Sequence, residues 1–519
     1  VNSKRELADR LPHARYSGLD FTRDAKSIYY TYQTPQGPRV FRHDLGTDAA
    51  KDPMVWGEGV GPEKIIGTSV TDDGRFLIVT LIYGASADRT DLYIASLDAP
   101  QFAVRPIVTN LDARFIGDEG GGLLYLQTNW NAPNSKVIAV DPANPQRENW
   151  KTIVPEAEVP IENMALVGGK ICVAYTKNAA SLLRVFGADG KLVRDVALPT
   201  LGSASTLLGR WSSDESFYIF NSFFVPPTIF RYDLKTGDQS TWWKSQAPVQ
   251  SDQFTMQQVW YTSKDGTRIP MFVAHKKGLK LDGSNPAYLT AYGGFNVSLE
   301  PTFSAEAVAW MERGGVYAVP NLRGGGEFGE NWHKAGMLEK KQNVFDDFFA
   351  AAEWLISNHY TTAAKLVAEG RSNGGLLMGA AMTQRPDLFR AIICGYPLLD
   401  MLRYQDFLVA RYWVPEYGSS ENADQFKYLY AYSPYQHVKK DAKYPGILFV
   451  SGDSDTRVAP LHARKMAALM QADAAPGRPV LLKYDTKAGH SGGEPVTKRI
   501  NDITDELSFL FWQLGVTLN

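Results

Sequence analysis

The stretch Glu369-Gly370-Arg371-Ser372-Asn373-Gly374-Gly375-Leu376-Leu377 decides how the C-terminal half of the chain is read. Lys365-Leu366-Val367-Ala368 runs into it, short and apolar enough for a buried strand. Leu376 to Met382 follows, small and apolar, a good start for a helix. Gly370-x-Ser372-x-Gly374 therefore sits at a strand-to-helix turn, the setting of a nucleophile elbow. Glycines on both sides let the chain turn sharply and lift the serine hydroxyl above the sheet edge. The Asn373 amide, at the helix start, can then face a developing oxyanion. Without the strand and the helix, the same residues would read as an ordinary glycine-rich turn.

The segments around this turn alternate strand and helix patterns. Ala287-Tyr288-Leu289-Thr290-Ala291 and Gly315-Val316-Tyr317-Ala318-Val319 are strand-like, and Phe303 to Arg313 between them is helical. Val344 to Ser357 is an amphipathic helix. Apolar strands follow at Ala391-Ile392-Ile393-Cys394, Ile447-Leu448-Phe449-Val450 and Val480-Leu481-Leu482-Lys483-Tyr484, and Lys498 to Leu514 closes as a helix. Alternation of this kind predicts a doubly wound, mostly parallel sheet with helices on both faces. With the elbow, the expectation is an α/β-hydrolase domain over residues 254–519.

That fold orders its catalytic groups serine, then acid, then histidine. After strand Ile447 to Val450 comes Ser451-Gly452-Asp453-Ser454-Asp455, which offers Asp453 or Asp455 as the acid. His437 precedes both and drops out unless Asp400 is the acid. His462 lies within Pro460 to Met470, which reads as helix, and suits a structural role. His490, in Lys487-Ala488-Gly489-His490-Ser491-Gly492-Gly493, follows a strand and sits between glycines that suit a loop held over the serine. His490 is thus expected to act as general base for Ser372, with an aspartate fixing its tautomer.

The first half reads differently. Short β-rich runs such as Ser27-Ile28-Tyr29-Tyr30-Thr31-Tyr32 and Phe76-Leu77-Ile78-Val79-Thr80-Leu81 alternate with turn clusters. Five strands end in an aspartate followed by a turn, at Asp44, Asp98, Asp141, Asp189 and Asp233, in steps of 54, 43, 48 and 44 residues. A period of about 40–50 residues with several strands per unit marks propeller blades. Thr22-Arg23-Asp24-Ala25-Lys26, Thr71-Asp72-Asp73-Gly74-Arg75 and Ser212-Ser213-Asp214-Glu215-Ser216 read as hairpin turns feeding inner strands. Tyr29, Tyr30, Phe217, Tyr218, Trp242 and Trp243 are expected in the core between blades. The expectation for residues 1–253 is an all-β propeller of about five blades, fewer than seven.

Composition narrows the function. At 519 residues the chain is long enough for two or three domains. A net charge of -2 makes no case for nucleic acid or an anionic membrane, and no apolar run approaches the ~18 residues of a spanning helix. Cys172 and Cys394 lie in strand-like segments and read as buried free thiols. No Cys/His cluster has zinc-site spacing, so neither metal nor cofactor is expected. The chain begins Val1-Asn2-Ser3-Lys4-Arg5-Glu6, without Met or an apolar leader. This sets the expectation of a processed, trimmed or fragmentary chain, partnered by a missing N-terminal segment. A soluble protein, cytoplasmic or periplasmic, is expected.

Several motifs together resemble the prolyl oligopeptidase family. They are Tyr292-Gly293-Gly294-Phe295-Asn296, Asn321-Leu322-Arg323-Gly324-Gly325-Gly326-Glu327-Phe328-Gly329, Gly370-Arg371-Ser372-Asn373-Gly374-Gly375, Asp455-Thr456-Arg457-Val458 and Ala488-Gly489-His490. The resemblance implies a serine endopeptidase that cuts short peptides on the carboxyl side of proline. It implies a triad of Ser372, Asp455 and His490, and the Tyr292 hydroxyl as a second oxyanion donor beside the Asn373 amide. It assigns Arg457 to a substrate carbonyl and Trp413 to stacking on the substrate proline, with Phe295, Tyr417 and Val458 as further pocket walls. A flat indole suits a pyrrolidine ring, and apolar walls reject charge. The family's propeller covers its active site and admits only short peptides. Family members carry seven blades and an N-terminal segment on the hydrolase domain, from which this chain departs. The competing readings are a related oligopeptidase or esterase of other specificity, or an inactive truncated scaffold.

Overall fold

The computed structural model describes residues 6–12, 18–85, 87–490 and 495–516. Val1 to Arg5, where the chain begins, and Gly492 and Gly493, expected to flank His490, lie outside them.

The β-rich half forms five antiparallel sheets, with strands spanning residues 19–56, 64–108, 115–154, 161–196 and 203–244. The five recurring aspartates all fall at or just past the end of the third main strand of their sheet. Strand alternation explains how the sheets stack, because successive side chains face opposite ways. In the second sheet, Leu77 and Val79 pack with Tyr29 and Val40 of the first, while Ile78 packs with Phe115 and Leu124 of the third. Tyr125 of the third packs with Ile171 and Val173 of the fourth. Cys172 and Leu183 of the fourth pack with Tyr218 and Phe220 of the fifth. Each inter-sheet layer is thus built from facing side chains of two neighbouring sheets.

Tyr29, Tyr30 and Tyr218 are buried as expected. Trp242 and Trp243 are not: they are 63% and 49% exposed, on a strand, Gln239–Lys244, whose residues are all exposed. The reason is position. This strand lies at the outer edge of the fifth sheet, and among the described residues no further sheet of the β-rich half follows to cover it.

From Phe254 the chain builds one mixed eight-stranded sheet: β1 (Phe254–Thr262), β2 (Arg268–Lys276), β3 (Ala287–Thr290), β4 (Val316–Pro320), β5 (Leu366–Arg371), β6 (Ala391–Gly395), β7 (Gly446–Gly452) and β8 (Val480–Asp485). The spatial order is β1-β2-β4-β3-β5-β6-β7-β8, antiparallel through β4 and parallel from there on. Ala368, Ile392 and Ile447 face helices Gln342–Ser357, Asn373–Gln384 and Leu461–Asp473. Val367, Ile393 and Leu448 face the other way, toward Trp310 and toward Phe509 to Phe511 of the closing helix Val496–Leu514. Continuous apolar runs are what strands covered on both faces require. Strand order reverses beside β3, and parallel α/β sheets hold their ligands at the carboxyl ends of strands near such a reversal. Among the described residues no helix is long and apolar enough to cross a membrane.

Candidate active site

The carboxyl ends of β3, β5, β6, β7 and β8 carry, in that order across the sheet, Tyr292, Ser372, Tyr396, Asp455 and His490. Ser372 follows β5 with φ 59° and ψ −119°, and helix Asn373–Gln384 begins at the next residue. A non-glycine residue held there costs of order 1–3 kcal/mol, which the surrounding structure must offset. The Ser372 N–H donates to the Gly395 carbonyl at 2.9 Å, anchoring the turn to β6. Gly370 permits the turn: a Cβ there would lie 2.2 Å from the Gly374 carbonyl oxygen. The helix begins three residues earlier than the sequence pattern suggested because the elbow glycines themselves are helical.

Asp455 is fully buried. Its Oδ1 accepts the N–H groups of Arg457 and Val458 at 2.8 and 2.9 Å, and its Oδ2 lies 2.7 Å from His490 Nδ1. These contacts fix the carboxylate and hold the His490 ring with Nε2 free of Asp455. Asp453 is exposed and takes the Tyr484 hydroxyl instead. The Tyr396 ring meets the His490 imidazole edge to face at 5.5 Å. Ser372, His490 and Tyr292 line one cavity of about 680 Å³, which extends from Phe223 of the last propeller sheet to the closing helix. Arg371 also lines it and pairs with Glu369 at 2.7 Å and Glu506 at 2.5 Å.

Asn373 begins the elbow helix, so its backbone N–H has no acceptor within that helix. Its side chain donates to the Tyr292 carbonyl at 2.6 Å and accepts from the Tyr417 hydroxyl at 2.8 Å. Phe295 and Tyr417 meet edge to face at 5.4 Å. Trp413, Tyr417 and Val458 are buried in the same hydrophobic cluster against which Phe295 packs. None of these four lines the cavity shared by Ser372 and His490. Arg457 is exposed beside the Asp455 turn.

Comparison with known proteins agrees with this geometry. Residues 301–517 match the prolyl oligopeptidase family, and residues 1–245 match its N-terminal beta-propeller domain. Over 99% of its length the chain is 38% identical to the prolyl endopeptidase of Elizabethkingia meningoseptica, of which it covers 74%. The chain belongs to the prolyl oligopeptidase family. It is also 31% identical to prolyl oligopeptidase A of Galerina marginata, over 99% of this chain and 73% of that one. Among solved structures, one from a mechanistic study of two prolyl endopeptidases superimposes with a TM-score of 0.93 at 42% identity, covering 98% of this chain and 76% of that one. Prolyl oligopeptidase B of Galerina marginata, bound to a 35-residue hydrolysis and macrocyclization substrate, gives 0.93 at 31% identity, over 99% and 74%.

In this member of the prolyl oligopeptidase family, the motifs do not reveal the buried polar layer behind Asn373. Lys341 is fully buried and donates to the Gly293 carbonyl at 2.8 Å and to Asn373 Oδ1 at 3.1 Å. Burial pushes its pKa down to about 8, against the opposing pull of Glu416 3.9 Å away. Glu416 accepts the Phe295 N–H at 3.0 Å and pairs with His333 Nε2 at 2.8 Å. Burial alone would lower the His333 pKa, but Glu330 and Glu416 outweigh it and raise it to about 10. The signal in the sequence was weak: Glu416 lies three residues past Trp413, but nothing singles out Lys341 or His333. His462 is buried, its Nδ1 accepting the amides of Leu399 and Asp400, and burial pushes it down to about 4.

Two side-chain groups among the described residues have the makeup to hold a cation: Glu306, Glu369 and Glu506, and Asp88, Glu330 and His333. In the first, the Arg371 guanidinium already supplies the positive charge.

Proposed function

We propose that Ser372, Asp455 and His490 are the catalytic triad of this enzyme, a serine peptidase that cleaves peptides on the carboxyl side of proline. Residues 1–253 form its propeller domain and residues 254–519 its catalytic domain. The observation that carries the reading is the 2.7 Å contact of His490 Nδ1 with buried Asp455, over a cavity that the strained Ser372 also lines.

In the first step His490 Nε2 takes the Ser372 Oγ proton as Oγ bonds to the carbonyl carbon of the proline residue. Asp455 keeps Nδ1 protonated and stabilises the imidazolium. The oxyanion takes hydrogen bonds from the Asn373 N–H and the Tyr292 hydroxyl. Collapse breaks the C–N bond, and His490 gives its proton to the leaving amine. Water then repeats the sequence on the acyl-enzyme and frees Ser372. The proline ring takes Trp413 as its stacking partner, with Phe295, Tyr417 and Val458 as walls, once substrate opens this cluster, which is buried off the cavity and tied to Asn373 by the Tyr417 hydroxyl, and Arg457 binds a substrate carbonyl. The substrates are short proline-containing peptides, a reading supported by Phe223 of the propeller lining the same cavity as Ser372.

Three substrates test this: a chromogenic peptide with proline before the scissile bond, one with arginine there, and a simple ester. Cleavage of the proline peptide well above the arginine one is expected. Cleavage of the ester alone would end the peptidase reading, and preference for arginine would move the specificity elsewhere.

A further inference from the structure

The second propeller sheet touches the hydrolase domain through the loop between its two middle strands. There the Ala85 N–H donates to the Tyr412 carbonyl at 2.8 Å, on the segment that carries Trp413 and Glu416. Three residues later, Asp88 reaches helix Glu330–Lys334. Asp88 Oδ1 and Glu330 Oε1 lie 3.6 and 3.5 Å from His333 Nδ1, and all three atoms are within 4.8 Å of one another. These gaps are too long for good hydrogen bonds. None of the three atoms makes a hydrogen bond to any other group. His333 is completely buried and Glu330 is only 7% exposed. Buried polar atoms without partners cost about 1–3 kcal/mol each, and a folded chain rarely leaves three of them facing one point.

A shared cation accounts for the spacing. Tetrahedral zinc with bonds of about 2.0–2.2 Å sets its ligands about 3.3–3.6 Å apart. One imidazole nitrogen and two carboxylate oxygens are a common donor set for it. The other ring nitrogen of His333 is held by the Glu416 carboxylate at 2.8 Å, as metal-bound histidines are oriented by a carboxylate behind them. Asp88, Glu330 and Glu416 place three carboxylates around one imidazole, while Lys334 lies 3.6 Å from Glu330 at an exposed position and Lys341 3.9 Å from Glu416. Arg114 adds positive charge nearby. Glu330 and Arg114 also line a cavity of about 40 Å³ between the propeller and the hydrolase domain.

We propose that Asp88, Glu330 and His333 bind a divalent transition-metal ion, zinc foremost, which fastens the second propeller sheet to the catalytic domain behind the proline-pocket wall. No cysteine or histidine spacing advertises such a site. Glu330-x-x-His333 occupies one face of a short helix, and the third ligand lies far back in the other domain. The site does no chemistry on substrate and does not depend on the triad assignment.

The test uses the full chain, stripped with EDTA and dialysed, then titrated with zinc chloride by calorimetry. Metal content and X-ray absorption at the zinc edge are read on the same sample. Wild type is expected to take one zinc per chain, with nitrogen and oxygen but no sulfur ligands, and to melt at a higher temperature with zinc than without. Asp88→Asn and Glu330→Gln, one in each domain, are expected to weaken binding at least about tenfold. Asp424→Asn, at an exposed surface pair, is the control and should bind as wild type does. Absence of saturable one-to-one binding to wild type would overturn the proposal, as would unchanged affinity in Asp88→Asn. Should Glu330→Gln fail to fold, Asp88→Asn decides alone, because its side chain is partly exposed.

Discussion

His490 with Asp455 and His333 with Glu416 are nearly the same pair, an imidazole nitrogen 2.7 or 2.8 Å from a buried carboxylate. Their surroundings set them apart. His490 faces one carboxylate, stands on a loop, and has a second nitrogen beside a cavity shared with Ser372. His333 is sealed in, on a helix, with Glu330 and Asp88 at its second nitrogen. A general base needs one nitrogen oriented and the other able to exchange a proton with substrate. A second nitrogen enclosed by carboxylates cannot do that. It can hold a charge and bind two domains together. The pair is therefore not the unit of function; what the far nitrogen meets is.

Removing groups from the two sites should separate chemistry from cohesion. The largest effect belongs to the nucleophile. Ser372→Ala should lower kcat by about 10⁶-fold, with substrate still bound, as loss of a triad serine does. A rate within tenfold of wild type on the proline peptide would remove Ser372 from the mechanism. Asp455→Asn should lower kcat by about 10⁴-fold, because the amide no longer fixes the ring tautomer. Its urea midpoint should move little. A larger loss of stability than of activity in this variant would erase the contrast with His333.

Glu416→Gln is the mirror experiment. It leaves buried His333 and Lys341 without their carboxylate, and breaking a buried charge pair costs about 3–5 kcal/mol. The expected result is a clearly lower urea midpoint with the triad still intact. Unchanged stability would show that the buried layer contributes nothing to cohesion. Lys341→Met lies between the two cases. It strips donors from the Gly293 carbonyl and from Asn373 Oδ1, which together hold the oxyanion side of the elbow. Displacement of positioning groups by as little as 1 Å can cost a hundredfold. The expected loss in kcat/KM is about tenfold to a hundredfold, mostly in kcat.

These same residues show what a sequence can carry. The elbow was legible because its constraints are local: glycines at fixed offsets, an apolar strand before and small apolar residues after. The five-fold aspartate rhythm was legible for a similar reason, since each blade repeats one turn. The choice between Asp453 and Asp455 was not local, because it depends on which carboxylate the β7 turn directs inward, and motif likeness supplied it. Trp242 and Trp243 misled because aromatic richness signals burial only when a neighbouring sheet is there to cover it. Lys341, Glu416 and His333 were invisible, because a lysine or glutamate gains its partners from segments far away in the chain.

His462 offers the finest test, because it is a buried imidazole whose Nδ1 meets backbone amides and not a carboxylate. Its Nδ1 accepts two backbone amides, which only the neutral ring can do, and burial lowers its pKa from 6.5 to about 4. Between those values the unfolded chain binds the proton and the folded chain does not. Stability from this group is thus present above pH 6.5 and is lost as pH falls toward 4, by at most about 1.4 kcal/mol per pH unit. Urea midpoints of wild type and His462→Gln between pH 6.5 and 5 isolate the term, because a carboxylate background common to both cancels in the difference. The variant should be less stable at pH 7, yet lose less on acidification. Parallel slopes would mean that the ring is already protonated in the fold. Enclosure, which here outweighs the pull of the Asp400 carboxylate, would then not be what keeps this imidazole neutral, and the contrast between His490 and His333 would need another cause.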